Sequence, residues 1–191
     1  ADVAFEATGK TLDEVFMDFV DGPKAFTLAQ EAAKNNLLLI LKSLTKFFAL
    51  PGLRLGYLIA HHQLIKKISR FQYPWNVNSL AQAAAKEVIK DKGYIKRSRK
   101  FILKEKMYLF ENLKKINGLR VFFPSSNFVF CKLENSGIKS SVKLQERLLR
   151  CRILIRSCDN FRGLNERFFR VAVRTREENN KLILSLRRTL K

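Results

Sequence analysis

Two short apolar runs on either side of a polar loop constrain the fold more than any other part of the chain. The runs occupy residues 37–41 (LLLIL) and 55–60 (LGYLIA). Both are shorter than a packed helix and have the length of a buried strand. The loop between them, residues 43–54, contains hydroxyl, ammonium and guanidinium groups together with a proline and a glycine. This pattern predicts two buried strands joined by a tight loop that carries reactive side chains.

Four polar side chains of this loop could form a cofactor site. Lys46 lies among apolar residues, and apolar surroundings lower the pKa of a lysine because they disfavour its charged form. Such a lysine can attack a carbonyl and form a Schiff base. The hydroxyls of Ser43 and Thr45 and the guanidinium of Arg54 could hold a phosphate. The combination suggests pyridoxal phosphate, although a lysine that snorkels from a strand end would also explain the position of Lys46.

Residues 43–57 carry a longer motif that decides between these readings. The sequence S-L-T-K-F-F-A-L-P-G-L-R-L-G-Y resembles the pattern S-x-[ST]-K-x-x-x-x-x-G-x-R-x-G-Y of fold-type I, class I and II aminotransferases. It is nearest to the branch of the histidinol-phosphate aminotransferases and threonine-phosphate decarboxylases. The resemblance implies that Lys46 carries pyridoxal phosphate and that Ser43, Thr45 and Arg54 bind its phosphate. It also implies an α/β fold with part of a mainly parallel large-domain sheet and an α+β small domain.

A second motif precedes the lysine loop. Residues 13–19, D-E-V-F-M-D-F, resemble the family pattern D-E-[AG]-[YF]-x-[DE]-F, which implies that Asp13 faces the cofactor's ring nitrogen and keeps it protonated. Residue type alone favours a turn or N-cap aspartate. The apolar strand that should precede Asp13 is cut to little more than Leu12, after a helix end predicted at residues 4–9, so we expect Asp13 to be poorly anchored. Phe16 replaces the tyrosine usual in the aminotransferases and favours a decarboxylase.

Two arginines near the C-terminus form a further candidate set. Arg156 follows a strand predicted at residues 153–155, and Arg170 lies in a strand predicted at 168–173. A planar guanidinium can bind a carboxylate or phosphate through two parallel hydrogen bonds. The segments I-L-I-R-x-C and F-x-R-V-A-V-R-T-R-E-E-N resemble the decarboxylase branch, which implies that Arg170 binds the substrate α-carboxylate and Arg156 a further substrate anion. By composition alone, either arginine could instead pair with a surface carboxylate.

The same resemblance divides the chain. Helical periodicity covers residues 79–91 and 94–116, and in the family a long helix connects the large domain to the small one. We therefore expect the C-terminal part of a large domain at 1–93, a connecting helix at 94–116 and a small domain at 117–191. Residues 71–82 resemble a family segment near the active site and the dimer contact, so the resemblance also implies a homodimer.

The net charge points to a different class of function. The chain has 37 Lys and Arg against 17 Asp and Glu, a formal charge of +20. Such an excess is typical of proteins that bind nucleic acids or other polyanions. The basic residues are spread along the chain, and no zinc-finger, helix-turn-helix, RRM or KH signature accompanies them. Polyanion binding therefore remains the alternative of another class.

Other residue types narrow the possibilities. Cys131, Cys151 and Cys158 form no CxxC pair, which is typical of reduced thiols in a cytoplasmic protein. His61 and His62 have no further ligands at a suitable spacing, so we expect no metal site. We expect no transmembrane helix, because no apolar run reaches 18 residues. The first residues show no signal-peptide pattern.

Together the motifs predict a pyridoxal-phosphate enzyme. The resemblance favours decarboxylation of L-threonine O-3-phosphate to (R)-1-aminopropan-2-ol O-phosphate, a step of cobalamin synthesis, with histidinol-phosphate amino transfer as the alternative. It covers only about the second half of the family's length. The features of the first half, including a phosphate-binding turn and a ring-stacking aromatic residue, have no counterpart. We therefore expect little activity and marginal stability from this chain alone.

Overall fold

The computed structural model describes residues 10–22 and 25–190. The chain divides into two compact units, the first ending at Ser98 and the second beginning at Arg99. Both units combine strands with helices, so the expected mixed α/β class is confirmed. Within the described ranges, none of the helices combines the length and apolar character that crossing a bilayer requires. The helix end expected at residues 4–9 lies outside the described residues.

Three strands form the sheet of the first unit: β1 (Lys10–Asp13), β2 (Leu38–Ser43) and β3 (Gly56–Ile59). Their order is β1-β2-β3, with β1 parallel and β3 antiparallel to β2. A parallel pair needs a crossover connection, and the chain between β1 and β2 contains a 3-10 turn (Met17–Phe19) and helix α1 (Ala29–Lys34). Leu39 and Ile40 of β2 are fully buried. The two strands predicted around the lysine loop are therefore present, but the expected burial of the second strand is wrong, because Gly56 and Tyr57 are exposed and the rest of β3 is half-buried.

The lysine loop is more structured than a simple connection. Ser43 ends β2, and its side chain caps a one-turn helix α2 (Leu44–Phe47) by accepting from the Thr45 amide. A 3-10 turn (Pro51–Leu53) follows. At the start of β3 the chain approaches β2 closely, and a Cβ on Gly56 would lie 2.8 Å from the Lys42 carbonyl oxygen. Only glycine fits there without displacing the strand.

Three helices follow the first sheet along the chain. They are α3 (His62–Ser69), α4 (Ser79–Val88) and α5 (Lys92–Leu113). The last two correspond to the helices expected at 79–91 and 94–116, with shifted ends. Because α5 runs across the division between the units, the domain limits expected at 93 and 116 stay a prediction.

Four antiparallel strands form the sheet of the second unit: β4 (Leu119–Val121), β5 (Phe128–Leu133), β6 (Arg156–Ser157) and β7 (Phe168–Ala172). Their order is β4-β5-β7-β6. Helices α6 (Ser141–Leu149) and α7 (Arg176–Thr189) contribute with α5 to one buried apolar core on the sheet. The strand expected at residues 153–155 is wrong, because pairing with β7 begins only at Arg156.

An ion pair between a buried carboxylate and a partly exposed arginine joins α5 to α7 inside the second unit. The Glu105 carboxylate accepts two hydrogen bonds of 2.9 Å from the Arg176 guanidinium. That guanidinium lies 3.4 Å from the centroid of the Tyr108 ring. The hydroxyl of Tyr108 donates to Asn180 at 2.6 Å. Arg176, which reads as a surface residue from the sequence, is therefore part of the packing between two helices.

Candidate active site

The carboxyl ends of β1 and β2 place the first candidate residues at one edge of a sheet. Asp13 is the last residue of β1, Ser43 is the last residue of β2, and the strands run parallel. Asp13 pairs with Leu41, two residues before Ser43. Ligands of open α/β sheets bind outside the carboxyl ends of the strands. This edge is therefore the candidate site of the first unit.

Three of the predicted residues form a connected polar cluster at this edge. The hydroxyls of Ser43 and Thr45 share a hydrogen bond of 2.7 Å. The Lys46 ammonium donates to the Thr45 hydroxyl at 3.1 Å. Hydroxyl donors beside an ammonium suit a bound anion. The structure therefore brings these three side chains together, and their binding roles stay a prediction.

The expectation that apolar side chains enclose Lys46 is wrong. Its side chain is exposed, whereas Leu44 and Phe47 are buried. Helix residues three apart lie on the same face, so the burial of these two residues leaves Lys46 on the outer side of the turn. The loop itself therefore does not desolvate the amine as the sequence pattern suggested.

Arg54 occupies a strained position at the end of the same loop. Its backbone φ of 48° lies in the left-handed region, which non-glycine residues rarely adopt. The exposed guanidinium donates to the carbonyl oxygen of Pro51 at 3.2 Å. Such strain costs on the order of 1 kcal/mol and concentrates at binding sites. Arg54 thus lies in the loop of the polar cluster, although its hydrogen bond stays within its own turn.

Asp13 is better anchored than the sequence suggested. All four residues of β1 pair with β2, so the expected poor anchoring is wrong. The exposed carboxylate accepts a hydrogen bond of 2.8 Å from the Val15 amide. This is the local turn bond that residue type favoured. The strand nevertheless places the carboxylate at the same sheet edge as Ser43.

A buried ion pair that the sequence reading missed lies directly beside these residues. Glu14 follows Asp13, Lys42 precedes Ser43, and their side chains meet at 2.9 Å with 5% and 8% exposure. Glu14 also accepts from the Thr27 hydroxyl at 2.7 Å and the Leu28 amide at 2.9 Å. A lysine within an apolar strand needs a buried counter-charge, and this signal could have identified the pair.

The surroundings of Glu14 favour its charged form. Burial alone would raise the pKa of this carboxyl. The hydrogen bonds from Thr27, the Leu28 amide and Lys42, together with the charge of Lys42, outweigh burial and hold the pKa below its ordinary value. The Glu14 carboxylate therefore remains ionised near neutral pH, and its contact with Lys42 ties the end of β1 to β2.

Arg156 and Arg170 lie on neighbouring strands of the second unit. They lie directly opposite each other on β6 and β7. Arg156 is exposed and donates to Asn160 at 3.1 Å, and its guanidinium lies 5.7 Å from the Phe161 ring centroid. Arg170 is half-buried, 5.1 Å from the Phe128 ring centroid. Like charges directly opposite each other destabilise a sheet, so this face is suited to a bound anion.

Known proteins resemble the chain over almost its whole length. A sequence model of the family described as aminotransferase class I and II matches residues 11–186. The threonine-phosphate decarboxylase of Salmonella typhimurium is 36% identical over 180 residues, which are 94% of this chain and 48% of that protein. A histidinol-phosphate aminotransferase of Caldanaerobacter subterraneus is 34% identical over 179 residues, again 94% and 48%.

A solved structure extends this likeness to the fold. The histidinol-phosphate aminotransferase of Clostridium acetobutylicum matches with a TM-score of 0.86 and 38% identity, over 98% of this chain and 57% of that one. The chain spans about half the length of the curated relatives it matches. The partial fold and the family resemblance inferred from the motifs are thereby confirmed.

Proposed function

Because the chain belongs to the class I and II aminotransferase family, we propose that it is part of a pyridoxal-phosphate enzyme that acts on a phosphorylated amino acid. One observation carries the proposal. The polar cluster of Ser43, Thr45 and Lys46 lies at the carboxyl edge of the parallel strands, the edge at which β1 ends in Asp13. A primary amine, hydroxyl donors and a carboxylate at one edge are the groups that this cofactor requires.

The side chains of the first unit fit the separate parts of the cofactor. The hydroxyls of Ser43 and Thr45 and the guanidinium of Arg54 would bind the phosphate. The Lys46 amine would hold the aldehyde carbon. The Asp13 carboxylate would accept a hydrogen bond from the protonated ring nitrogen.

The chemistry divides between the cofactor and the chain. When bound, pyridoxal phosphate supplies an electron sink for negative charge at the α-carbon of an amino acid. Lys46 would hold or move a proton at Nζ, and its bond to the Thr45 hydroxyl orients that atom. The negative charge of Asp13 would keep a proton on the group that faces it.

The two arginines of the second unit would bind the substrate. Arg170 would bind the α-carboxylate and Arg156 the substrate phosphate, each through its planar guanidinium. Which bond at the α-carbon breaks depends on how the carboxylate is oriented. The decarboxylase-like segments around both arginines and the phenylalanine at position 16 favour loss of carbon dioxide from L-threonine O-3-phosphate.

An exposed apolar segment supports the homodimer that the family resemblance implies. Phe71, Tyr73, Trp75 and Leu80 are between 71% and 95% exposed. Exposed large apolar side chains concentrated in one segment are typical of a protein contact. We include this segment in the proposed dimer interface.

Product analysis tests the proposed reaction. The 191-residue chain is incubated with pyridoxal phosphate and L-threonine O-3-phosphate, with and without 2-oxoglutarate. We expect carbon dioxide release that is independent of 2-oxoglutarate, at a low rate because the chain spans about half of its relatives. Glutamate that forms only when 2-oxoglutarate is present would show that the reaction is amino transfer and not decarboxylation. The absence of both products would contradict the proposal.

A matched pair of variants tests the substrate arginine. Arg170→Lys keeps the positive charge but loses the planar fork, so the rate should fall. Arg174→Lys is the control, because Arg174 is exposed and bonds to Glu178 on the surface. Equal rates for the two variants would remove Arg170 from the substrate site.

A further inference from the structure

The helix that carries Lys46 is held by a group outside its own loop. α2 has only four residues, and a single helical turn is not stable alone. Lys46 is exposed, so packing of its own side chain does not fix its position. The last carbonyls of a helix also need partners from elsewhere. One partner is Tyr94 of α5, whose hydroxyl donates a hydrogen bond of 3.0 Å to the carbonyl oxygen of Phe47.

Ring contacts strengthen this attachment. The Tyr94 ring stacks on Phe48 with centroids 5.7 Å apart and meets Phe47 edge-on at 6.3 Å. Phe47 also packs against Phe19 at 5.1 Å. Phe19 ends the 3-10 turn that follows Asp13 along the chain. These four rings form an aromatic cluster that joins the Lys46 helix to the start of α5 and to the segment after β1.

We propose that Tyr94 is a positioning residue for Lys46. It acts through Phe47, the next residue in the chain, and fixes the backbone from which the amine reaches the Thr45 hydroxyl. A displacement of about 1 Å in a reacting group can lower a rate on the order of 100-fold. The inference rests on the proposed function for what the amine binds, whereas the attachment itself is a property of the first unit.

Two conservative variants on the same helix separate positioning from general stability. Tyr94→Phe keeps the ring contacts and removes the hydroxyl that bonds to Phe47. Tyr108→Phe is the control, because it removes a similar hydrogen bond, to Asn180 at 2.6 Å, in the second unit. Both changes delete one hydroxyl from α5, so a difference between them reports the connection to Lys46.

The first readout is attachment of pyridoxal phosphate to Lys46, followed by absorbance across a range of pH. Tyr94→Phe should lower the equilibrium constant for attachment about 2- to 10-fold, which is the usual effect of losing one hydrogen bond. In this variant the pH at the midpoint of the absorbance change should shift as well. A general loss of stability would not shift it. Tyr108→Phe should match the unmodified chain. Equal attachment and equal midpoints in the two variants would overturn the inference.

The second readout needs no cofactor. The amides of residues 48–50 bond to carbonyls of α2 at 3.1 to 3.3 Å, and their hydrogen exchange reports its stability. Exchange should be faster in Tyr94→Phe and unchanged in Tyr108→Phe. If the unmodified chain does not attach the cofactor at Lys46, the proposed function fails and this readout decides alone. Unchanged exchange in Tyr94→Phe would then overturn the inference.

Discussion

Replacement of Glu14 by glutamine should lower the free energy of unfolding by about 3–5 kcal/mol, the usual effect of breaking a buried ion pair. The substitution is destabilising because it leaves the charge of Lys42 unpaired. Glutamine fills nearly the same space and can still accept a hydrogen bond, but it carries no charge. The Lys42 ammonium, which is 8% exposed in the native pair, would stay buried without its counter-charge. The segment that holds Asp13 against β2 would be weakened directly.

Urea unfolding followed by circular dichroism measures this effect. Glu87→Gln is the control, because Glu87 pairs with Lys90 at 3.2 Å with both side chains more than 70% exposed. An exposed pair contributes about 0–1 kcal/mol. The double variant Glu14→Gln, Lys42→Met removes both charges and should recover most of the loss. If Glu14→Gln behaves like the control, or if the double variant is no more stable than the single one, Lys42 does not need Glu14 as its buried counter-charge.

The same pair predicts the direction of a pH effect. The pKa of Glu14 in the folded chain lies below its ordinary value of 4.5, so the unfolded chain binds the proton more readily. Its contribution to stability is therefore fully present above about pH 4.5 and is lost as the pH falls through the folded-state pKa. Between pH 7 and pH 3 the unmodified chain should lose more stability than Glu14→Gln. Equal losses would show that Glu14 does not titrate as the structure implies.

Three further outcomes are expected. Arg54→Gly should change the free energy of unfolding by less than about 1 kcal/mol, because relief of the left-handed backbone offsets the entropy of glycine. It should nevertheless weaken pyridoxal phosphate binding more than about tenfold. Unchanged affinity would remove Arg54 from the site. Gly56→Ala should lower the urea concentration at the midpoint of unfolding. Gly52→Ala should not, because its added Cβ meets nothing within 4 Å. Equal midpoints for the two variants would contradict the close approach of β3 to β2 at Gly56. Binding of a labelled single-stranded oligonucleotide, measured by anisotropy, should fall steeply between about 50 and 200 mM salt; affinity that survives would favour the polyanion-binding alternative.

The sequence predicted the parts of the site that depend on neighbours in the chain. Ser43, Thr45 and Lys46 lie within four residues of each other, so any strand end followed by a tight turn brings their polar atoms together. The exposure of Lys46 was not predictable in the same way. It depends on the direction in which one helical turn faces, and that direction is set by where Leu44 and Phe47 find their packing.

The sequence pattern did not predict contacts between segments that lie far apart in the chain. The pair of Glu14 and Lys42 requires that β1 lie next to β2, and the β1 sequence K-T-L-D has no apolar alternation to indicate a strand. Conversely, residues 153–155 look like a strand, but among the residues that the structure describes pairing with β7 begins only at Arg156. Strand formation depends on pairing partners far along the chain, whereas helix periodicity is local, which is why the long helices α4 and α5 were predicted and β1 was not.

Covalent attachment at Lys46 is the most direct test of the account. The chain is titrated with pyridoxal phosphate, reduced with borohydride, digested and examined by mass spectrometry, together with Lys46→Ala and with Lys66→Ala as an exposed control on α3. We expect the reduced cofactor on the peptide that contains Lys46, its loss in Lys46→Ala and its retention in Lys66→Ala. Cofactor bound at other lysines, with the same yield in Lys46→Ala, would contradict the account.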